Sequence, residues 1–335
     1  MLRCLERAGC AEVITRTHAD LDLTLSLPVE AFFSAEKPEY VFLCAAKVGG
    51  IMANSTRPAE FIHQNLAIQT NVIDASYRHG VKRLLFLGSS CIYPRECPQP
   101  MRESYLLTGP LDPTNRPYAV AKIAGIEMCW SYNRQYGTQF LAAMPTNLYG
   151  PNDNYDLEHS HVLAALLRRI HSAKLAGDRE VVVWGTGTVR REFLHSDDMA
   201  SACVHLMSLP DQEFQALSSS TAEAPLVNVG CGEDLTIREL AELIAEIVGF
   251  RGQLVFDTTK PDGMPRKLLD VSRIRALGWQ PTISLGQGLE SVYLQYAAQV
   301  APVGLGPLTP TAASVPAARD SAPSSNSSRP KNGGR

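Results

Sequence analysis

The sequence lacks long apolar runs, an excess of either charge, and any paired-cysteine pattern. Its apolar runs fall far short of the length that spans a bilayer, so no membrane-spanning helix is expected. The 335 residues carry 31 Lys and Arg against 34 Asp and Glu, a formal net charge of −3. That balance supplies no footprint for nucleic acid or an anionic membrane surface. The eight cysteines, at 4, 10, 44, 91, 97, 129, 203 and 231, form no C-x-x-C pair and no zinc-ligand spacing. Several lie inside apolar segments, as Cys44 does in "VFLCAA". Free thiols in such surroundings suit a reducing compartment, so a cytoplasmic protein without a metal site is expected. The opening "MLRCLERAGC" holds no apolar stretch like that of a secretory signal.

What is present is alternation. Short apolar runs at 12–15, 40–46, 83–89, 140–146, 180–185, 226–230 and 253–257 read as strands. Helix-like segments lie between them near 58–79, 117–136, 159–174, 197–208 and 236–248. Nearly continuous apolar strands imply a sheet covered on both faces. Alternating strands and helices imply an α/β fold with a doubly wound, Rossmann-like parallel sheet. The expected division is a nucleotide-binding domain over 1–150, with later segments near 181–200 returning to it. A smaller mixed α/β substrate domain follows over 151–299. Residues 300–335 are rich in Pro, Ser, Ala and Gly and read as a disordered tail.

The front of the chain departs from this pattern. "MLRCLERAG" reads as the last turns of a helix stopped by Gly9, leading into the strand "EVIT". A doubly wound nucleotide-binding fold places a strand and a glycine-rich turn before that helix. No G-x-x-G-x-x-G occurs in the sequence.

Chemistry gathers at one strand end. "GSSCIYP" (88–94) follows the apolar "RLLFL", and ligands of open α/β sheets sit at the carboxyl ends of strands. Ser89 and Ser90 either face a substrate or merely cap a turn. About thirty residues on, "PYAVAK" sets Lys122 four residues after Tyr118, on one helix face. A lysine beside a phenol favours the phenolate and is expected to lower the Tyr118 pKa. Such a tyrosine can donate a proton to a carbonyl oxygen. Pro117 suits the first turn of that helix.

Ser89 with Y-x-x-x-K resembles the extended short-chain dehydrogenase/reductase superfamily. Six longer segments narrow the resemblance: "AAKVGGIMANSTRPAEFI" (45–62), "FLGSSCIYP" (86–94), "PYAVAKIAGIEMC" (117–129), "MPTNLYGPNDN" (144–154), "VVVWGTGTVRREFLHSDDMA" (181–200) and "KPDGMPRKLLD" (260–270). Together they are similar to the GDP-L-fucose synthase family, the GDP-4-keto-6-deoxy-D-mannose 3,5-epimerase/4-reductases, from residue 1 to about 297.

The resemblance implies NADPH-dependent conversion of a GDP-sugar in two stages, epimerisation at C3 and C5 and then reduction at C4. Ser89, Tyr118 and Lys122 match the reductase triad. Cys91 and His161 match the acid–base pair that moves protons at C3 and C5; read by itself, His161 in "EHSHVLAALLRR" is a helix-surface residue. Only a thiolate accepts a proton, so Cys91 needs surroundings that favour one. Leu87, Gly88, Ser89, Ser90, Pro145, Thr146, Asn147 and Leu148 match segments lining the nicotinamide, joined by Tyr118, Lys122 and His161. Arg16, after "EVIT", would meet the 2′-phosphate of NADP(H). Arg169, Trp184, Arg191, Asp262 and Lys267 match substrate-contacting positions, where arginine forks suit a diphosphate. Arg190 reads as ion-paired and His195 as structural. The resemblance also implies a homodimer, through helices near 58–79 and 117–136.

The missing front is where the chain and the family part. Losing five or six buried apolar residues removes roughly 8–15 kcal/mol, against a domain stability of about 5–15 kcal/mol. The sequence as written is therefore expected to be incomplete, to fold poorly, to bind cofactor weakly and to leave a gap in the middle of its sheet. The competing readings are a catalytically impaired remnant that binds nucleotide sugar or partners, and a related nucleotide-sugar epimerase or dehydratase. The Cys91 and His161 pair argues against the last.

Overall fold

The computed structural model describes residues 1–10, 12–156, 160–260 and 262–300. The expected tail beyond residue 300 lies outside the described residues. In chain order the elements are α1 (Leu2–Arg7), α2 (Ser26–Glu36), β1 (Tyr40–Leu43), α3 (Ile51–Thr56), α4 (Pro58–Arg78), β2 (Arg83–Leu87), α5 (Arg116–Tyr136), β3 (Phe140–Pro145), β4 (Asn147–Tyr149), α6 (Val162–Ala176) and β5 (Glu180–Trp184). They continue as β6 (Arg190–Arg191), β7 (Phe193–His195), α7 (Ser196–Met207), α8 (Asp211–Ser218), β8 (Leu226–Val229), β9 (Leu235–Thr236), α9 (Ile237–Val248), β10 (Gln253–Asp257), β11 (Arg266–Lys267), α10 (Ser272–Ala276) and α11 (Leu285–Val300).

The largest sheet is parallel throughout, in the order β1–β2–β3–β8. Its strands are apolar because both faces are covered. The period of two along β2 shows by what. Phe86 points to α5, where a Cβ added at Gly125 would come within 2.5 Å of the Phe86 ring. Glycine there lets the helix lie close on the sheet. Arg83, of the opposite parity, points to the other face and donates to the carbonyls of Met207 (2.9 Å), the last residue of α7, and Leu209 (2.7 Å), and to Asp211 (2.6 Å).

A second core gathers Leu163, Leu167 and Ile170 of α6, Val181 and Val183 of β5, and Leu240 and Ile244 of α9. Helix α9 starts at a Thr236–Glu239 capping box and stops at Gly249 with φ +73°. The chain does not stay in this second core. After β11 it returns to the first through Leu269, Val271, Ile274 and Trp279. That return sets Lys267 at the seam between the two cores.

One expectation needs correction. Residues 12–15 form no strand: Val13 is 37% exposed, and no ladder holds the segment. A strand needs a neighbour to accept and donate its backbone bonds, and "EVIT" has none among the described residues. Among the described residues the four paired strands are contiguous and the sheet ends at β1, leaving 12–15 without a strand to pair with. The helix stop at Gly9 is present, with φ +75° and a bond from the Gly9 amide to the Glu6 carbonyl. Among the described residues, no helix is long and apolar enough to cross a membrane.

Candidate active site

Strand β2 delivers its last residues to the seam. Ser89 is extended (φ −161°, ψ 144°) and opens a tight turn over residues 90–92, its hydroxyl accepting from the Cys91 amide at 3.3 Å. Ser90 is buried. A Cβ at Gly88 would come within 2.1 Å of Met144, so the ends of β2 and β3 lie close together. Helix α5 begins with Pro in its first turn and presents Tyr118 and Lys122 on the face toward Ser89.

These three side chains do meet. Ser89 acts directly on the Tyr118 phenol, favouring its ionised form. The Lys122 ammonium donates to the Leu87 carbonyl at 2.7 Å and lies 5.9 Å from the Tyr118 ring centre. Their titration differs from the expectation. Burial raises the Tyr118 pKa, the neighbouring Cys91 raises it further, and Ser89 only partly offsets this. Burial also lowers Lys122, from 10.5 to about 8. The lysine therefore does not pull the phenol down, because desolvation penalises both charged forms. Tyr118 is protonated at neutral pH, the state a proton donor needs.

The Cys91 sulfur has two donors. Asn115 Nδ2 stands 3.2 Å from Sγ and Lys267 Nζ stands 3.6 Å away. Strand pairing brings Lys267 there. Strands β6 and β11 run parallel, with Arg190 opposite Arg266 and Arg191 opposite Lys267. Alternation sends the first pair to one side and the second to the other. Arg190 and Arg266 both grip Asp234, whose side chain is 4% exposed. Burial raises the Asp234 pKa, but the two guanidinium bonds outweigh it and the net direction is down. Arg190 is thus ion-paired. Arg191, on the Lys267 side, donates to the Met264 carbonyl at 2.6 Å. Burial lowers its pKa, while Asp262 and Asp112 act the other way.

The other candidates spread outward from the sulfur. Asp262 accepts from the Thr186 amide (3.0 Å) and hydroxyl (2.7 Å), and so fixes the turn after β5. Gly185 has φ +85° there, and a Cβ on it would come within 2.3 Å of Asp262. The Arg169 guanidinium lies 4.8 Å over the Trp184 ring, which is 57% exposed. Arg169 and Trp184 line a cavity of about 410 Å³ together with Ser172, Asp178, Glu180 and Val182. Pro145 ends β3. Thr146 and Asn147 both donate to the Glu192 carbonyl, and Leu148 continues into β4.

Two candidates stand apart. His161 is the exposed residue before α6, its carbonyl accepting from Ala165; among the described residues no hydrogen bond joins it to Cys91 or Tyr118. Burial raises the Asp153 carboxyl, and His161 acts on it in the opposite direction. Arg16 follows no strand. It pairs with Glu36 and lies 5.4 Å from the Phe32 ring centre. His195 is buried, accepts from the Asp197 amide and meets the Tyr149 ring edge-on, a structural position.

Sequence reasoning missed Asn115 and Glu192. Asn115 carried only a helix-start signal. Glu192 is fully buried and accepts from the amides of Gly232 (2.7 Å) and Leu269 (3.0 Å), tying the returning chain beside Lys267. Its carboxyl in "VRREFLH" looks like any surface charge.

The geometry can protonate a carbonyl oxygen from Tyr118 and Ser89 while a sulfur beside them exchanges a proton with carbon. It also fits a nicotinamide ribose. The buried Lys122 ammonium has three donors and, among the described residues, uses one, on Leu87.

A model of the NAD dependent epimerase/dehydratase family matches residues 1–217. GDP-L-fucose synthase 1 of Arabidopsis thaliana is 56% identical over 300 residues, 90% of each chain. GDP-L-fucose synthase of Escherichia coli (strain K12) is 55% identical over 291 residues, 87% of this chain and 90% of that one. A solved GDP-mannoheptose C4 reductase from Campylobacter jejuni with NADP bound is similar with a TM-score of 0.80. It is 41% identical, over 88% of this chain and 93% of that one.

Proposed function

We propose a function from one premise: this chain belongs to the NAD dependent epimerase/dehydratase family, among the GDP-L-fucose synthases. The function is conversion of GDP-4-keto-6-deoxy-D-mannose to GDP-L-fucose, by inversion at C3 and C5 and reduction at C4. The cofactor is NADP(H). When bound, it supplies the hydride that reaches C4.

The chain's residues do the rest. Tyr118 and Ser89 hold the C4 oxygen. The ketone acidifies the hydrogens on C3 and C5, and removing one leaves an enolate whose charge rests on that same oxygen. The Cys91 thiolate takes a proton from one face, and the C–H electron pair enters the enolate. His161 returns a proton to the opposite face once the substrate fills the gap between them. At reduction, Tyr118 gives its proton to the C4 oxygen. Lys122 turns its two free donors to the nicotinamide ribose. Leu87, Gly88, Ser90 and the 145–148 segment line the ring, and Arg16 meets the 2′-phosphate. Arg169, Trp184, Arg191, Asp262 and Lys267 hold the sugar diphosphate. Three of these, Arg169, Arg191 and Lys267, are cations, as a diphosphate requires.

One observation carries the reading: Cys91, with an amide and an ammonium aimed at its sulfur, adjoins the Ser89–Tyr118 pair. A plain C4 reductase needs the pair but not the sulfur. We assign cofactor to the first core (1–150 with returning segments) and the sugar to the second (151–299). A homodimer fits the side-by-side packing of α4 and α5, where Tyr77 stacks on Tyr136 at 4.1 Å and Val120 and Tyr136 stay exposed. A cytoplasmic location fits the eight free thiols.

The test is to mix the chain with GDP-4-keto-6-deoxy-D-mannose and NADPH, follow NADPH absorbance and determine the product's configuration. The reading expects NADPH consumption and an L-configured sugar. A D-configured 6-deoxy sugar would leave a reductase and remove the epimerase.

A further inference from the structure

Asn115 stands before α5, where an asparagine side chain ordinarily accepts from the helix's free N–H groups. It makes no such bond. Its Nδ2 turns instead to Cys91 Sγ at 3.2 Å, and its Oδ1 is buried without a hydrogen-bond partner among the described residues. Forgoing a cap and burying an unpaired acceptor both cost stability. The neighbouring backbone holds the residue in place. Asp112 Oδ1 accepts from the Thr114 amide (2.9 Å) and hydroxyl (2.7 Å), and the Asp112 carbonyl accepts from the Asn115 amide. The Asn115 carbonyl in turn receives the Ala119 amide, one residue past Tyr118.

We propose that Asn115 is a positioning residue for proton transfer at Cys91: its N–H group aims and stabilises the anionic sulfur, and its Oδ1 receives a hydroxyl of the sugar ring. The inference rests on the epimerase reading above. In the step it serves, the sulfur gains the carbon's proton and becomes a thiol. The C–H electron pair passes into the enolate, and a second proton arrives from the opposite face. The thiol then gives its proton to solvent. A neutral donor suits this task because it directs charge on the sulfur without adding a cation that would hold the proton off. Lys267, at 3.6 Å on a flexible stem, supplies charge but little direction. The charged or titratable groups acting at this point are Lys267 and Tyr118, with Asp112 and Arg191 behind them. All four are unchanged in the variants below.

The test is alkylation of the full-length chain by iodoacetamide across pH, with modification at Cys91 read by peptide mass spectrometry. Wild type is compared with Asn115→Ala and with the isosteric Asn115→Asp, which remains a good helix-start residue. Losing a hydrogen bond to a charged sulfur is expected to move the pH of half-maximal alkylation up by about one unit in Asn115→Ala, and further in Asn115→Asp. In parallel, each chain is incubated with GDP-4-keto-6-deoxy-D-mannose in deuterated water without NADPH. Deuterium entry at C3 and C5 is expected to slow about tenfold or more in both variants. Alkylation profiles that coincide with wild type to within a few tenths of a pH unit would overturn the proposal. Absence of deuterium entry in wild type, with the alkylation shift present, would overturn the epimerase reading and leave the sulfur assignment standing.

Discussion

Replacing Lys122 with methionine should make the ligand-free chain more stable and its reductase chemistry worse. Lys122 is 2% exposed, and burial moves its pKa from 10.5 to about 8. That change corresponds to roughly 3 kcal/mol against the ammonium in the folded state at pH 7. Its hydrogen bond to the Leu87 carbonyl offsets about 1–2 kcal/mol of that cost. Methionine has a similar length and no charge to desolvate. Lys122→Met is therefore expected to gain about 1–2 kcal/mol at pH 7, measured by urea unfolding. The pH dependence fixes the cause. The folded pKa lies below the unfolded one, so between about pH 8 and 10.5 the unfolded chain holds a proton that the folded chain has shed. Wild-type stability rises through that window, and the advantage of the variant shrinks and vanishes above it. Reduction of the keto sugar should fall by about a hundredfold or more, since the nicotinamide ribose loses the ammonium proposed to position it. A variant less stable than wild type at pH 7, or an offset that is the same at pH 7 and pH 10, would refute the reasoning.

Other expectations follow from the same geometry. Tyr118→Phe removes the proton donor and should slow NADPH oxidation by about 10²–10⁴, with a smaller effect on deuterium entry at C3 and C5. Arg83→Leu strands the two buried carbonyls of Met207 and Leu209, while Asp211, 93% exposed, loses little; a loss of about 2–4 kcal/mol in urea unfolding is expected. Asp234→Asn loosens the grip on Arg190 and Arg266 and should cost about 1–2 kcal/mol at pH 7. Because the folded Asp234 pKa is lowered, wild type should lose that margin as pH falls below about 4, and the variant should not.

Much of this was legible in the sequence. The strands 40–43, 83–87, 140–145 and 226–229 were readable because covered faces leave the runs almost wholly apolar, broken only by Arg83 and Asn228, whose polar groups find buried partners. The meeting of Ser89, Tyr118 and Lys122 was readable because one strand end and one helix turn carry all three. The strand at 12–15 was misread because its pattern is local while a strand's existence depends on a neighbour. The environment of Cys91 was not readable, because it is built from long-range pairing. Lys267 reaches the sulfur through the register of two short strands, at 190–191 and 266–267, and through a chain return fastened by Glu192. The direction of the Tyr118 pKa was also hidden, since spacing reveals the lysine but not the desolvation that overrides it.

The central claim is that one site both exchanges protons on carbon and reduces the ketone. The most direct measurement is to run the complete reaction in deuterated water with protiated NADPH and to count isotopes in the sugar product by NMR. The account predicts deuterium at C3 and C5 and protium at C4. A reduced product carrying protium at C3 and C5 would contradict it.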